Sequence, residues 1–288
     1  MPRSGPVKGD ASASAATRQA AATPAPDAAA APAPQQRPSR DRPRVAALIP
    51  AKDEARRIAA TVRAARAIPG VDLVLVIDDG SEDDTQHVAR AAGAVVVRHS
   101  HNRGRAVAIE TGAAVVAMRD VPDRPPRSLL FLAADLAESA VAVAPLVPPV
   151  LAGEVDMTVA MLTPHPTPGG RGIAIGSARR AISRLTGWSP AEPLSPLRCL
   201  TRDAFEAAVP LAHGSGIWPG MTIDLLRAGF RVLEVPCDLR HHPAGRSLRN
   251  QMLRAANYRD IELAIGARRA RAMANGMRGR LRTGSQRD

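Results

Sequence analysis

The chain has 288 residues and a formal net charge of +12 at pH 7, with 45% hydrophobic and 2% aromatic residues. That length suits one sizeable α/β domain with appendages, and the hydrophobic fraction is large enough for a core of alanine, valine, leucine and isoleucine. So few aromatic side chains leave no visible stacking platform for single-stranded nucleic acid, and we expect no nucleic-acid partner.

Most of the positive charge lies at the two ends of the chain. Residues 1–44 hold seven basic and three acidic side chains, and residues 264–288 hold seven arginines and one aspartate, so the middle of the chain carries only +2. Basic tails are attracted to polyanions and to anionic membrane surfaces. Peripheral contact with the inner face of the membrane through these tails is therefore left open, beside the plainer interpretation that they aid solubility.

The remaining composition points to a cytoplasmic protein. Cys199 and Cys237 are too few for a disulfide framework and lack the spacing of metal ligands. No run reaches the roughly 18 apolar residues of a spanning helix, and the N-terminus lacks the apolar region of a signal peptide. We predict a disordered, alanine- and proline-rich tail over residues 1–43, a folded domain over 44–265 and a basic C-terminal tail over 266–288.

Short apolar runs alternate with helical segments through the first half of the folded domain. The pattern predicts strands at 45–49, 73–77, 94–98 and 128–132, and helices at 53–67, 85–92 and 105–118. Such alternation favours an α/β sandwich with a mostly parallel central sheet and right-handed crossovers.

The second half of the domain is less regular. Its pattern predicts strands at 157–161, 194–200 and 232–235, a loop at 165–172, and helices at 171–186, 203–209, 221–228 and 247–271. Proline and glycine are frequent between these segments, so their limits are less sharply marked.

Polar side chains follow three of the predicted strands. Asp53 follows the first strand, Asp78, Asp79 and Ser81 follow the second, and Asp135 follows the fourth. Ligands of parallel α/β sheets bind at the carboxyl ends of the strands. The positions of these residues alone therefore predict a ligand site at that edge, although an isolated Asp-Asp-Gly-Ser segment is also typical of a turn that caps a helix.

Four segments occur in an order and at a spacing that resemble the family 2 glycosyltransferases, namely ALIPAKDE (47–54), VIDDGSEDDT (76–85), HNRGRAVAIETG (101–112) and LFLAADL (130–136). The resemblance continues through residues 193–198, 222–235 and 238–246 and covers about residues 44–265. It is strongest to bacterial members similar to glucosyl-3-phosphoglycerate synthases and to dolichyl-phosphate-mannose-synthase-like enzymes.

The resemblance implies a GT-A fold, the Rossmann-like fold of nucleotide-diphospho-sugar transferases. It implies transfer of a hexose from a UDP- or GDP-sugar to a small phosphorylated or lipid-phosphate acceptor, and it leaves a homodimer open. The residues that it assigns to the nucleotide share positions in the strand-end loops and at a helix start, where backbone N–H groups favour anions. They are Pro50, Asp53, Glu54, Asp79, Ser81, Gly104 and Arg105.

The resemblance also implies a metal site for Mg²⁺ or Mn²⁺, ions that prefer hard ligands and neutralise a leaving diphosphate. The family's D-x-D motif reads Ala133-Ala134-Asp135 here, so its first aspartate is missing. Asp135 is expected to act in catalysis and to hold the metal together with His241.

The acceptor side departs from the family pattern as well. The G-x-G-x-E motif reads Gly214–Trp218 and lacks its acid, so Asp224 becomes the catalytic candidate, and Trp218 either stacks on a ligand or packs in the core. Arg198 and Arg246 are expected to bind the acceptor or a phosphate group. Two alternatives remain at this point, a pseudoenzyme that binds nucleotide sugars without turnover, and a nucleotidyltransferase, which would require a different glycine-rich loop after the first strand.

Overall fold

The computed structural model describes residues 43–162, 172–239 and 258–274. Its strands are β1 (Val45–Ala51), β2 (Val71–Asp78), β3 (Val95–Arg98), β4 (Ser128–Phe131), β5 (Met157–Leu162), β6 (Arg198–Leu200) and β7 (Val232–Cys237). Its helices are α1 (Ile58–Arg66), α2 (Thr85–Ala91), α3 (Arg105–Met118), α4 (Val147–Leu151), α5 (Gly172–Thr186), α6 (Arg202–Ala208), α7 (Ile217–Arg227) and α8 (258–274). Two 3₁₀ helices cover Ala137–Leu146 and Gly214–Gly216.

The seven strands form one sheet in the order β3-β2-β1-β4-β6-β5-β7. Every pair is parallel except the two that involve β6, which runs antiparallel to both β4 and β5. The prediction of a mostly parallel α/β sheet is confirmed. Because all strands but β6 point the same way, their carboxyl ends share one edge of the sheet.

Helices cover both faces of the sheet. Helices α1, α2 and α4 and the 3₁₀ helix after β4 pack on one face, and α3, α6 and α7 pack on the other. A third apolar cluster joins α5, α7 and α8. The core consists almost entirely of alanine, valine, leucine and isoleucine, as the composition indicates.

Trp218 belongs to the few aromatic residues of that core. It is 4% exposed and its ring centroid lies 6.4 Å from that of Phe131, which also packs edge-on against Phe205. Of the two interpretations left open for Trp218, the structure adopts core packing, because its ring is covered and cannot stack on a ligand in this arrangement.

Several elements differ from their predicted limits. Helix α1 begins at Ile58 instead of residue 53, since Asp53 has φ 55° and the chain bends before the helix starts. Helix α7 begins at Ile217 instead of residue 221, because Pro219 lies in its first turn, where proline is tolerated. The helices at 137–151 were not predicted, and residues 247–257 and the loop at 165–171 lie outside the described residues.

Charged side chains form a network of ion pairs at the edge of the sheet where the amino ends of the strands lie. Arg127 donates to both oxygens of Asp72, at 2.8 and 2.9 Å, and to Asp120 at 2.7 Å. Arg202 pairs with Asp120 at 3.1 Å, and Arg44 with Asp72 at 3.6 Å. The network connects β1, β2, α6 and the segment after α3, and it marks Arg44 as part of the folded unit.

Within the described ranges, no helix has the length and apolar character needed to cross a membrane. The basic tails lie outside these ranges apart from the last turns of α8, so membrane contact and dimer formation stay predictions.

Candidate functional site

Two loops at the carboxyl edge of the sheet are tied together. The loop after β1 contains Asp53 and Glu54, and the loop after β2 contains Ser81 and leads to Thr85, the first residue of α2. Asp53 N–H donates to Ser81 Oγ at 3.0 Å, and Glu54 N–H donates to Thr85 Oγ1 at 2.8 Å. In return, Glu82 N–H donates to Asp53 Oδ1 at 2.8 Å. These hydrogen bonds hold the two loops in a fixed position relative to each other. Several motif residues therefore contact one another in the protein without ligand.

Lys52 and Gly80 also connect the loops after β1 and β2, which together are called the double loop. Lys52 Nζ donates to the Gly80 carbonyl at 2.8 Å. Gly80 has φ 73°, and a Cβ there would lie 2.6 Å from the carbonyl carbon of His101. The close approach of the two backbones therefore requires glycine at this position. Lys52 was missed at the sequence level, although it stands beside Asp53 as one of only two lysines in the chain.

Asp79 holds the loop that leads into α3. Its carboxylate accepts hydrogen bonds from the backbone N–H groups of Arg103 and Gly104, each at 2.8 Å, and lies 2.8 Å from His99 Nδ1. Burial acts to raise the pKa of Asp79, but these hydrogen bonds outweigh it and the pKa is lowered. Asp79 is thus a buried carboxylate that stays ionised and organises the loop at residues 101–104.

His99 is a site residue that sequence reasoning missed. It directly follows β3, is 6% exposed, and bridges Asp79 to Thr111 of α3, whose Oγ1 lies 3.1 Å from His99 Nε2. Its position after a strand was the available signal, the same one that singled out Asp53, Asp78 and Asp135.

Asp78 and Ser81 shape the end of β2. Asp78 is fully buried, its Oδ1 accepts from Ser81 N–H at 2.9 Å, and its Oδ2 lies 3.5 Å from Arg98 Nε. Pro50 is the sixth residue of β1, next to this edge and partly exposed. The structure therefore brings Pro50, Asp53, Asp79 and Ser81 to one edge, as the sequence predicts.

Glu54, Arg105 and Asp135 come together on the exposed side of this edge. Burial raises the pKa of Glu54, against a hydrogen bond from Arg57, and the negative charge of Asp135 raises it further. Arg105, the first residue of α3, has its pKa lowered by burial, while Asp135 acts in the opposite direction. Asp135 is therefore close enough to interact electrostatically with both Glu54 and Arg105. The three residues lie on three different segments of the chain.

Thr61 holds the backbone around Asp135. Its hydroxyl donates to the Ala134 carbonyl at 2.8 Å and accepts from Ala137 N–H at 2.9 Å, so it contacts the chain on both sides of Asp135. Thr61 is fully buried on α1, and Asp135 itself is exposed. This arrangement leaves the carboxylate free to meet a ligand while the loop that carries it is fixed.

Asp224, which the sequence predicts as a catalytic residue, lies away from this site. Asp224 forms an ion pair with Arg268 of α8 and lines a cavity of about 240 Å³ between α6, α7 and α8. Only four residues separate the end of α7 from the amino end of β7, so Asp224, in the last turns of α7, lies toward the opposite edge of the sheet. The structure does not bring it to Asp135, and we correct its assignment from a catalytic residue to an ion-pair partner.

Arg198 is placed in the core with no exposed surface, and Arg246 and His241 lie outside the described residues. In the part of the chain that the structure describes, no three His, Cys, Asp or Glu side chains are grouped as a metal site. The metal assignment of Asp135 and His241 therefore stays a prediction.

The fold and the site together define a class of protein. A mostly parallel sheet carries carboxylates after β1, β2 and β4 and a glycine-preceded helix start at one edge, which is the arrangement of a GT-A nucleotide-sugar transferase. Residues 46–175 match the family described as Glycosyl transferase family 2. Together with the fold, this match over residues 46–175 supports a family 2 GT-A glycosyltransferase.

Solved structures show the same fold. Glucosyl-3-phosphoglycerate synthase from Mycobacterium tuberculosis, in complex with Mg²⁺ and UDP, is 24% identical, with a TM-score of 0.64 over 78% of this chain and 79% of that one. Its complex with Mn²⁺, UDP-glucose and phosphoglyceric acid is likewise 24% identical, with a TM-score of 0.61 over 78% and 80% of the two chains. A protein described only as mycobacterial is 25% identical, with a TM-score of 0.64 over 78% and 74%. No curated protein sequence matches the chain.

Proposed function

We propose that this glycosyltransferase moves glucose from UDP-glucose to a small phosphorylated acid of the phosphoglycerate type. The mycobacterial synthase of the same fold has been crystallised with UDP-glucose, Mn²⁺ and phosphoglyceric acid. The lipid-phosphate acceptor suggested by sequence resemblance is the competing acceptor class.

The observation that carries the proposal is the convergence of Glu54, Arg105 and Asp135 at the carboxyl edge. Arg105 stands at the start of α3, where free backbone N–H groups and the helix dipole favour an anion. A diphosphate bound there would meet the Arg105 guanidinium, with Asp135 beside it. The tied loops after β1 and β2 supply carboxylates that can accept hydrogen bonds from a base and a ribose.

The chemistry needs stabilisation of the leaving group. The bond between the sugar's anomeric carbon and the UDP oxygen breaks, a bond to an acceptor oxygen forms, and the proton of the acceptor hydroxyl passes to the departing UDP. Negative charge develops on the departing diphosphate, and fixed positive groups placed there lower the barrier. Arg105, which interacts electrostatically with Asp135, is a cation that can serve this purpose.

A divalent cation fits the residues only with help from the substrate. Asp135 offers an exposed carboxylate at a strand end, which is a hard oxygen ligand, while Ala133 offers no side-chain oxygen. Asp135, with His241 as the proposed second ligand, would hold Mg²⁺ or Mn²⁺ when diphosphate oxygens complete the coordination. When bound, such an ion supplies positive charge to the leaving diphosphate.

The direct test incubates the full chain with UDP-glucose, Mn²⁺ and 3-phosphoglycerate and follows UDP release and glucosylated product by mass spectrometry. Parallel reactions replace UDP-glucose by GDP-glucose, and 3-phosphoglycerate by a polyprenyl phosphate in detergent. We expect product with UDP-glucose and 3-phosphoglycerate, and its loss in Asp135→Asn. Product formed only with the polyprenyl phosphate would overturn the proposed acceptor class.

A second candidate function is a binding protein with impaired turnover. The observation in its favour is Ala133, which replaces the first aspartate of the metal motif. This candidate predicts saturable binding of UDP-glucose with neither UDP release nor transfer to any acceptor. Restoring the acid with Ala133→Asp should then create measurable hydrolysis, whereas an active wild-type enzyme would exclude it.

A further inference from the structure

Arg198 is a buried cation that has no acidic partner within the described residues. It is the first residue of β6 and has no exposed surface. Among residues 43–162, 172–239 and 258–274, no carboxylate lies within ion-pair distance of its guanidinium, whereas Arg202, which is also buried at 8% exposure, pairs with Asp120. Buried arginines are ordinarily paired, because removing an isolated charge from water is costly.

The contacts of Arg198 only partly replace water. Nε donates to the Ser195 carbonyl at 2.9 Å, and Nη1 donates to Thr222 Oγ1 at 2.8 Å. The guanidinium carbon lies 5.4 Å from the ring centroid of Trp218, a cation–π contact. Burial lowers the pKa of Arg198 to about 9, against the distant attraction of Glu234.

Two polar atoms at this place have no hydrogen-bond partner in the part of the chain that the structure describes. One is Nη2 of Arg198, and the other is Oγ of Ser195, whose own carbonyl accepts from Arg198. Ser195 is 3% exposed, so neither atom reaches bulk solvent. An unpaired guanidinium donor beside an unpaired hydroxyl is the donor set that a carboxylate or phosphate oxygen requires.

Arg198 and Ser195 lie next to the edge of the sheet where the sugar would be transferred. Arg198 pairs across the sheet with Phe131, the last residue of β4, and Asp135 follows four residues later. Trp218, which covers the guanidinium, is the second residue of α7, and α7 begins at the same edge because it ends beside the amino end of β7. The segment 187–197, which contains Ser195 and has neither helix nor strand, forms the other cover.

We propose that Arg198 and Ser195 bind an anionic group of the acceptor, a carboxylate or a phosphate, which enters when segment 187–197 moves aside. The inference rests on the proposed function and names the acceptor as an anion. The anion supplies the missing partner of the guanidinium, so acceptor binding and charge compensation are one event. The free protein tolerates the unpaired cation through Thr222 and Trp218.

The experiment compares Arg198→Met with Arg202→Met, two buried arginines that differ in having a carboxylate partner. Without ligand, Arg198→Met should melt at or above the wild-type temperature, because an uncompensated charge is removed, and Arg202→Met should melt lower. In transfer assays Arg198→Met should raise the KM for 3-phosphoglycerate at least about tenfold, since a charge-assisted hydrogen bond is lost. The KM for UDP-glucose should stay unchanged in both variants.

A binding measurement keeps the inference testable without turnover. Inorganic phosphate at millimolar concentration should raise the melting temperature of the wild type and of Arg202→Met, and should have less effect on Arg198→Met and Ser195→Ala. Equal stabilisation of all four proteins would overturn the inference, even if transfer activity is absent. If transfer occurs and Arg198→Met leaves the acceptor KM unchanged, the inference fails while the proposed function stands. Glycerate and glycerol 3-phosphate as competing ligands tell whether the carboxylate or the phosphate binds here.

Discussion

The Nδ1 atom of His99 lies 2.8 Å from Oδ1 of Asp79, and both side chains are buried at the carboxyl edge of the sheet. The same carboxylate receives the N–H groups of Arg103 and Gly104. A carboxylate with three donors is already engaged by the protein. Asp79 therefore acts first as the organiser of the loop before α3, and a contact with the nucleotide would come in addition.

Nucleotide binding should depend on this organisation. UDP-glucose at a hundredfold its Kd should stabilise the protein by about 2.7 kcal/mol, and Asp79→Ala should remove most of that gain, because the loop at residues 101–104 loses its anchor. Thermal shift with increasing UDP-glucose measures the effect. Glu82→Gln is the control, since this neighbouring acid uses only its backbone in the double loop. Equal ligand-induced shifts in wild type and Asp79→Ala would contradict the assignment.

The stability of the protein should depend on pH through Asp79. Its pKa is lowered on folding, so its contribution is present above the unfolded pKa of about 3.9 and is lost as the pH falls through the lower folded value. Urea unfolding at about pH 5 and about pH 3 should show a larger loss of unfolding free energy for the wild type than for Asp79→Asn. If the wild type lost less unfolding free energy than Asp79→Asn between these two pH values, the ionised Asp79 carboxylate would be destabilised by its burial.

Metal binding should require both Asp135 and nucleotide. Because Ala133 supplies no oxygen, Mn²⁺ should bind weakly to the free protein and more tightly with UDP present, and Ca²⁺ should serve less well if an imidazole takes part. Calorimetry with UDP should show that Asp135→Asn abolishes the nucleotide-dependent part and that His241→Ala reduces it. Glu138→Gln, three residues on and also exposed, is the matched control. Unchanged Mn²⁺ affinity in Asp135→Asn would remove Asp135 from the site.

The charge network at the amino edge should contribute to stability without affecting the site. Arg127→Met leaves Asp72 and Asp120 short of a largely buried partner and should cost about 2 kcal/mol of unfolding free energy. Chemical denaturation measures this cost, and the affinity for UDP should not change. Arg63→Ala, an exposed arginine of α1 at the surface, should have little effect. A similarly small effect of Arg127→Met would show that its ion pairs are screened by solvent.

Removal of residues 1–42 should leave the folded domain intact. Their composition cannot bury enough apolar surface to support a core, whereas Arg44 pairs with Asp72 and must be retained. Limited proteolysis should trim the chain to a product that starts near Arg44, with cooperative unfolding at an unchanged midpoint. Loss of cooperativity in the shortened protein would move the domain boundary toward the N-terminus.

Local patterns in the chain were sufficient for most of the fold. Apolar runs of β-branched residues and leucine predicted β1 to β4 to within a few residues, because a buried parallel strand requires such a run whatever surrounds it. The same patterns missed the direction of β6, only three residues long, since strand direction depends on partners distant in sequence. They also placed the start of α1 too early, because acidic residues that favour a helix start were used here in a loop.

The sequence by itself determined the resemblance to family 2 glycosyltransferases, through motifs in a fixed order. It also determined the edge of the sheet that carries the site, because strand-end residues reach the same edge in any parallel sheet. Only the tertiary structure decided what each side chain does there. In the folded chain, Asp79 contacts His99, and Thr61 donates a hydrogen bond to the Ala134 carbonyl next to Asp135. Asp224 forms an ion pair with Arg268, and Arg198 is buried against the ring of Trp218. These outcomes depend on contacts between segments tens of residues apart, and no local pattern records which side chain will receive a partner and which will be left without one.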